Sequence, residues 1–241
     1  MSTHSKDRHL PPMDPRTLSE PTKCLLGSIG RIPYTDALAL QRRWHAHCAA
    51  GRIPGILLFL EHDPVITIGV KQSSSRNVLV SKETLEDRGI ALVKTDRGGD
   101  VTYHGPGQLV GYPIFRLRDI SDDLNTYLRG LEESVISALA EFGLAGERNG
   151  PAGVWVGGGK VCSIGVAVRK WTTYHGFALN VDPCMEHFSL INPCGLESRR
   201  MTSLAELLGE APGMEVVRDA CARGFAKTFN LEYEPWYSGI C

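Results

Sequence analysis

From Cys24 onward apolar residues recur along the chain without a long break, while the first twenty residues hold Pro11, Pro12 and Pro15 among polar side chains. A segment with so little to bury cannot offset the entropy of ordering. The pattern predicts a disordered tail over 1–20 and a single domain over 21–241. Within that domain Ala37, Leu40, Trp44 and Cys48 share one helical face, with Thr35 as the cap and Gly51 as the stop. Two apolar runs, Gly55–Leu60 and Val65–Val70, flank the polar Glu61-His62-Asp63-Pro64 and read as strands. Ala91–Thr95 and Gln108–Phe115 are further strand candidates on either side of a glycine-rich loop. The clearest helix begins at Ser121–Asp123, carries Leu124, Leu128, Leu131, Val135 and Leu139 in one stripe, and ends by Gly143.

Strand patterns then return at Val154–Val156, Val161–Val168 and Tyr174–Val181. Ser203 with Glu206 three residues on predicts a capped short helix through Leu208, and a last helix runs from about Met214 to Phe229. Strand clusters interrupted and flanked by helices predict an α+β fold with a mixed, mostly antiparallel sheet.

Composition narrows the field of functions. A chain of 241 residues with 42% apolar and 22% charged residues can bury one substantial core. Its formal net charge of −1 argues against bulk affinity for nucleic acid or an anionic membrane. No apolar run is long enough to span a bilayer, and the N-terminus lacks a secretory pattern. Seven irregularly spaced cysteines suit reduced thiols in a cytoplasmic setting.

Three stretches are dense in chemistry. Arg97-Gly98-Gly99-Asp100-Val101-Thr102-Tyr103-His104 leads into Gly105-Pro106-Gly107, a loop whose glycines let backbone approach a ligand and whose N–H groups can hold an oxygen. Arg97 has Asp100, or a partner's anionic group, as candidate partners; an irregular turn without function is the plainer alternative. The second stretch, Gly157-Gly158-Gly159-Lys160-Val161, departs from a phosphate-binding loop because Val161 stands where Ser or Thr is required. A tight hairpin turn fits better, with Lys160 opening a strand. Strict alternation then places Lys160, Cys162 and Ile164 on one face. In the third stretch Pro193 and Gly195 bracket Cys194 on a turn that would project its sulfur, although a single cysteine is more often a small hydrophobic core residue. Zinc ligation by Cys184, His187 and Cys194 lacks a fourth ligand and a recognised spacing.

Taken together, these stretches resemble the lipoyl(octanoyl) transferase family of lipoate biosynthesis. The likeness is carried by Glu61-His62-Asp63-Pro64 with Thr67-Ile68-Gly69, by Arg97 through Thr102, and by His104-Gly105-Pro106-Gly107-Gln108 with Tyr112-Pro113. It continues through Lys160 with Ile164-Gly165, His175-Gly176-Phe177-Ala178-Leu179-Asn180-Val181 and Pro193-Cys194-Gly195, in the same order over roughly residues 25 to 230. The resemblance implies the fold of biotin and lipoate protein ligases. It also implies octanoyl-acyl carrier protein as donor, and as acceptor a lysine of lipoyl domains in 2-oxo acid dehydrogenases or of the glycine cleavage H protein. Cys194 falls on the family's acyl-thioester position and Lys160 on the position that tunes it. Arg97–His104, Ser163, Ile164, Gly165, Gly176, Phe177 and Ala178 fall on segments lining the acyl pocket. No cofactor or metal is implied, nor any nucleic acid or membrane partner, and a monomer is expected. Cys162 departs from the family pattern, where a small residue is expected.

The chemistry is consistent with those residue types. Converting a thioester to an amide is downhill and needs no ATP, but a free cysteine is only a few per cent thiolate at neutral pH. A nearby ammonium favours the thiolate. An ATP-dependent lipoate or biotin protein ligase is the alternative on the same fold, and it has no need of Cys194. Arg169, Lys170, Arg199 and Arg200 are candidates for docking an acidic carrier.

Overall fold

The computed structural model describes residues 20–71, 74–121, 123–150, 152–192 and 201–236. The expected tail, Glu20 apart, lies outside the described residues, as do Cys194, Arg199 and Arg200. In chain order the elements are β1 (Thr22–Ile32), α1 (Tyr34–Ala49), β2 (Gly55–His62), β3 (Val65–Ile68), α2 (Lys82–Asp87), β4 (Ala91–Lys94), β5 (Val101–His104), β6 (Gln108–Phe115), α3 (Leu124–Ala140), β7 (Gly153–Val156), β8 (Gly159–Arg169), β9 (Thr172–Asn180), α4 (Leu204–Leu208), α5 (Met214–Phe229) and β10 (Leu231–Pro235). Among the described residues there are also three short 3₁₀ turns.

Seven strands form one sheet in the order β10-β1-β2-β6-β9-β8-β7, and β4-β3-β5 form a second. In the large sheet only β1–β10 and β1–β2 are parallel, and the remaining neighbours are antiparallel. The expected mixed, mostly antiparallel α+β fold is the one adopted. The large sheet is covered on both faces, which explains why β2 reads as an unbroken apolar run. Leu57 and Phe59 point toward α3 and α5, with Leu131, Val135, Val217 and Phe225. Ile56, Leu58 and Leu60 point the other way and pack with Trp44 and Cys48 of α1.

Local chemistry accounts for most boundaries. Asp123 caps α3 by accepting the Asn125 and Thr126 N–H groups on Oδ1, and Ser203 caps α4 through the Glu206 N–H. Gly157 and Gly158, at φ of 55° and 80°, make the turn between β7 and β8, as their spacing suggests.

Two expectations need correction. Thr35 does not cap α1; Pro33 occupies that position without a side-chain bond, and Leu40 is only partly buried. Nor do Lys160 and Cys162 share a face of β8. Trp155 pairs with Lys160 but Val154 pairs with Cys162, so Val161 is an extra residue that breaks the alternation. Cys162 faces the core, where burial raises its thiol to about 12.

Candidate active site

A cavity of about 390 Å³ opens against β8 and β9 of the large sheet. Much of its wall comes from the Arg97–Thr102 loop with His104, the start of α3 through Leu124 and Leu128, the segment from Ser163 to Val166, and His175 to Ala178. Trp155, Lys160 and Met201 close one side, and Tyr34, Val110 and Tyr112 contribute from α1 and β6. The lining is mainly apolar, so the space suits a hydrocarbon group more than a nucleotide.

Lys160 is buried, with 9% of its surface exposed. Its ammonium donates to the Ala152 carbonyl at 3.1 Å and lies 4.8 Å from the centroid of the Trp155 ring. Both contacts favour a cation at the cavity wall. The Lys160 carbonyl accepts the Thr202 N–H at 3.0 Å, and Lys160 and Met201 form a parallel bridge. Met201 is the first described residue after the 193–200 stretch that carries Cys194.

The glycine-rich loop is fixed by its own polar groups. Arg97 is buried and donates through Nη2 and Nε to Thr67, and through Nη1 to the Gly98 carbonyl. Asp100 takes other partners, accepting from Asn77 Nδ2 and from the Val101 N–H. The Gly98 N–H is also occupied, by the Val166 carbonyl at 2.8 Å. That bond ties the loop to β8. Tyr103 is set apart from its neighbours in the loop. Its ring is not among the cavity walls but packs with Phe188, and its hydroxyl bonds His187 Nδ1.

At the α1 side of the cavity three buried histidines converge. His62 donates from Nδ1 to the Ile32 carbonyl and accepts the Tyr112 hydroxyl on Nε2 at 2.6 Å. His104 bonds Gln108 Oε1 through Nδ1 at 2.7 Å, and His175 bonds Asp96 through Nε2 at 2.9 Å. Burial pulls their pKa values down to about 4, 3 and 4 respectively. These rings are therefore neutral at pH 7. His104 and His175 line the cavity without charge, and His62 packs against His104. From His104 a polar chain runs on: Gln108 donates to Asn180, and Asn180 donates to the Thr202 carbonyl beside Met201.

Residues 33–226 match the model of the lipoyl protein ligase A/B catalytic domain. The chain belongs to that family. One lipoyl protein ligase A/B relative, an octanoyltransferase of Chloroflexus aurantiacus, is 49% identical over 85% of this chain and 93% of its own length. Among solved structures, lipoate-protein ligase A bound with ATP superposes with a TM-score of 0.71 at 21% identity, covering 91% of this chain and 90% of that one. A bi-partite lipoate protein ligase from Thermoplasma acidophilum, solved in a study with its E2 lipoyl domain, gives 0.69 at 21% identity over 90% and 88% of the two chains. These two structural likenesses establish the fold.

Several residues lining the cavity of this lipoyl protein ligase A/B domain escape a motif-based reading. His175 lies in the motif that continues with Gly176, yet the motif alone assigns it no place in the cavity wall. Trp155, Leu124 and Met201 gave no sign beyond being apolar. Lys71, exposed at the cavity, stands in an unpatterned stretch. Among the described residues no group of three His, Cys, Asp or Glu side chains is arranged to hold a metal, and no helix is long and apolar enough to cross a membrane.

Proposed function

We propose that this protein is an octanoyltransferase of protein lipoylation, carrying an octanoyl group from an acyl carrier protein to a lysine of a lipoyl domain. The observation that carries the reading is a buried amine, Lys160, on the wall of a largely apolar cavity. The 49% identity to an octanoyltransferase over most of both chains supports the substrate. Burying the six methylenes of an octanoyl tail contributes about 5 kcal/mol, enough for cavity length to select chain length.

In the proposed cycle Cys194 and Lys160 start as a thiolate and an ammonium. The Cys194 sulfur attacks the donor thioester carbonyl. As the carrier's C–S bond breaks, Lys160 gives its proton to the departing thiolate, which leaves as a thiol. Lys160 is then a neutral amine. It takes a proton from the acceptor's ammonium, and the freed amine attacks acyl-Cys194. As the amide forms and the Cys194–acyl bond breaks, the second proton of the acceptor amine passes to solvent, and the thiolate–ammonium pair is restored. Each tetrahedral oxyanion needs an N–H donor. Those of Gly98 and Val101 are occupied by Val166 and Asp100, so other N–H groups of the Arg97–His104 loop or near Gly165 are the proposed sources.

Support for involving Cys194 comes from its neighbours in sequence. It lies seven positions before Met201, and Met201 borders the cavity beside Lys160. Arg97, Gly98, Gly99, Asp100, Val101, Thr102, His104, Ser163, Ile164, Gly165, Gly176, Phe177 and Ala178 are proposed as the acyl-binding wall, with Tyr103 as its support from behind.

An ATP-dependent ligase is the competing reading on this fold, and incubation with octanoyl-carrier thioester and a lipoyl domain separates the two. Octanoyl-amide formation without ATP is expected. Dependence on ATP and free octanoate would overturn the assignment.

A further inference from the structure

Helix α3 carries a carboxylate in its apolar stripe. Glu132 is 3% exposed and lies one turn beyond the cavity-lining Leu128. Its Oε2 accepts from Arg129 and Arg148, at 2.7 and 3.1 Å. Its Oε1 accepts the Gly153 N–H at 3.2 Å. The same peptide unit presents the Ala152 carbonyl to the Lys160 ammonium. One rigid amide plane therefore stands between the carboxylate and the amine, with its dipole aligned to both.

Gly153 makes this geometry possible. Its φ is 146°, and a Cβ there would lie 2.5 Å from Lys160 Cε. A side chain would push the amine away from the carbonyl. Hydrogen bonds in a low-dielectric site polarise one another, so a carboxylate on the N–H strengthens the carbonyl at the other end.

We infer that Glu132 is a positioning residue for the reaction, holding the Lys160 amine and its charge in place through the 152–153 peptide. The inference rests on the reading of Lys160 as the base of the transfer. Other charged or titratable groups bear on the pair. Lys71, Arg97, His104 and His175 line the cavity with Lys160, the Cys162 thiol lies across β8, and Arg129, Arg148 and Glu133 surround the Glu132 side.

The test uses the full chain with ¹³C at lysine Cε, the Lys160 resonance being identified by its loss in Lys160→Arg. Glu132→Gln keeps an acceptor for the Gly153 N–H but removes the charge. Its Lys160 titration midpoint should fall by about one unit, with kcat down about tenfold and KM little changed. Arg148→Met, at a half-exposed site, strips a neutralising charge from Glu132 and should move the midpoint the opposite way. Midpoints that stay at the wild-type value in both variants overturn the inference, whatever the rates do. If the midpoints move as stated while Lys160→Arg transfers octanoyl at the wild-type rate, the coupling stands and the assignment of Lys160 as base is what fails.

Discussion

The Lys160 ammonium lies over the ring of Trp155, 4.8 Å from its centroid, and the two residues face each other across the β7–β8 pair. Trp155 is fully buried, so the ring meets the cation in a desolvated site, where such contacts are strongest.

Replacing Trp155 with Leu removes that surface. We expect kcat to fall about tenfold, in line with a cation–π contact of about 1–2 kcal/mol. Loss of the buried ring should also cost about 3 kcal/mol of stability in denaturant unfolding. Trp155→Phe, which retains a π face, should recover most of the rate. Equal rates for the Leu and Phe variants would show that the ring's charge distribution is irrelevant.

Gly165 sets how closely the Arg97 loop approaches β8. A methyl there would lie 2.9 Å from the Gly98 carbonyl and 3.3 Å from Arg97 Cδ. Gly165→Ala should displace the loop, destabilise the fold by about 1–3 kcal/mol and lower kcat/KM for octanoyl donors about tenfold. Steady-state kinetics beside a melting curve would check this. An unchanged kcat/KM would remove the loop from the acyl-binding wall.

The fold was largely legible because its strands and helices bury apolar residues with clean periodicity. α5 and β6 have the bounds that their patterns give. β1 and β10 were not legible: their burial patterns are irregular, and their place depends on pairing between opposite ends of the chain. Around the cavity, the glycine and histidine motifs announced themselves. Glu132 and Trp155 did not, since a lone charge on a helix and an aromatic in a strand are ordinary features until tertiary contacts give them partners. The slip at Val161 was hidden for the same reason, because a bulge arises from pairing and strict alternation takes no account of it.

The three neutral histidines make stability depend on pH in a defined direction. An unfolded histidine takes up a proton near pH 6.5, whereas His62, His104 and His175 resist protonation until pH falls to about 4, 3 and 4. Below about pH 6.5 the unfolded chain binds more protons than the native one, so stability declines as pH falls. Thermal melts from pH 8 to pH 4 should give a plateau above about 6.5 and a progressive fall in Tm beneath it. His104→Gln should make that fall shallower. A flat Tm down to pH 4.5 would mean that these rings are not kept neutral by burial.

The most direct test of the account is the intact mass of the protein after incubation with octanoyl-carrier thioester in the absence of an acceptor, followed by peptide mapping. We predict one added octanoyl group, located on Cys194, absent in Cys194→Ala, and discharged to amide when a lipoyl domain is supplied. In Lys160→Arg the discharge should be lost. An unmodified enzyme that still forms octanoyl-amide, or a Cys194→Ala variant with the wild-type transfer rate, would contradict it.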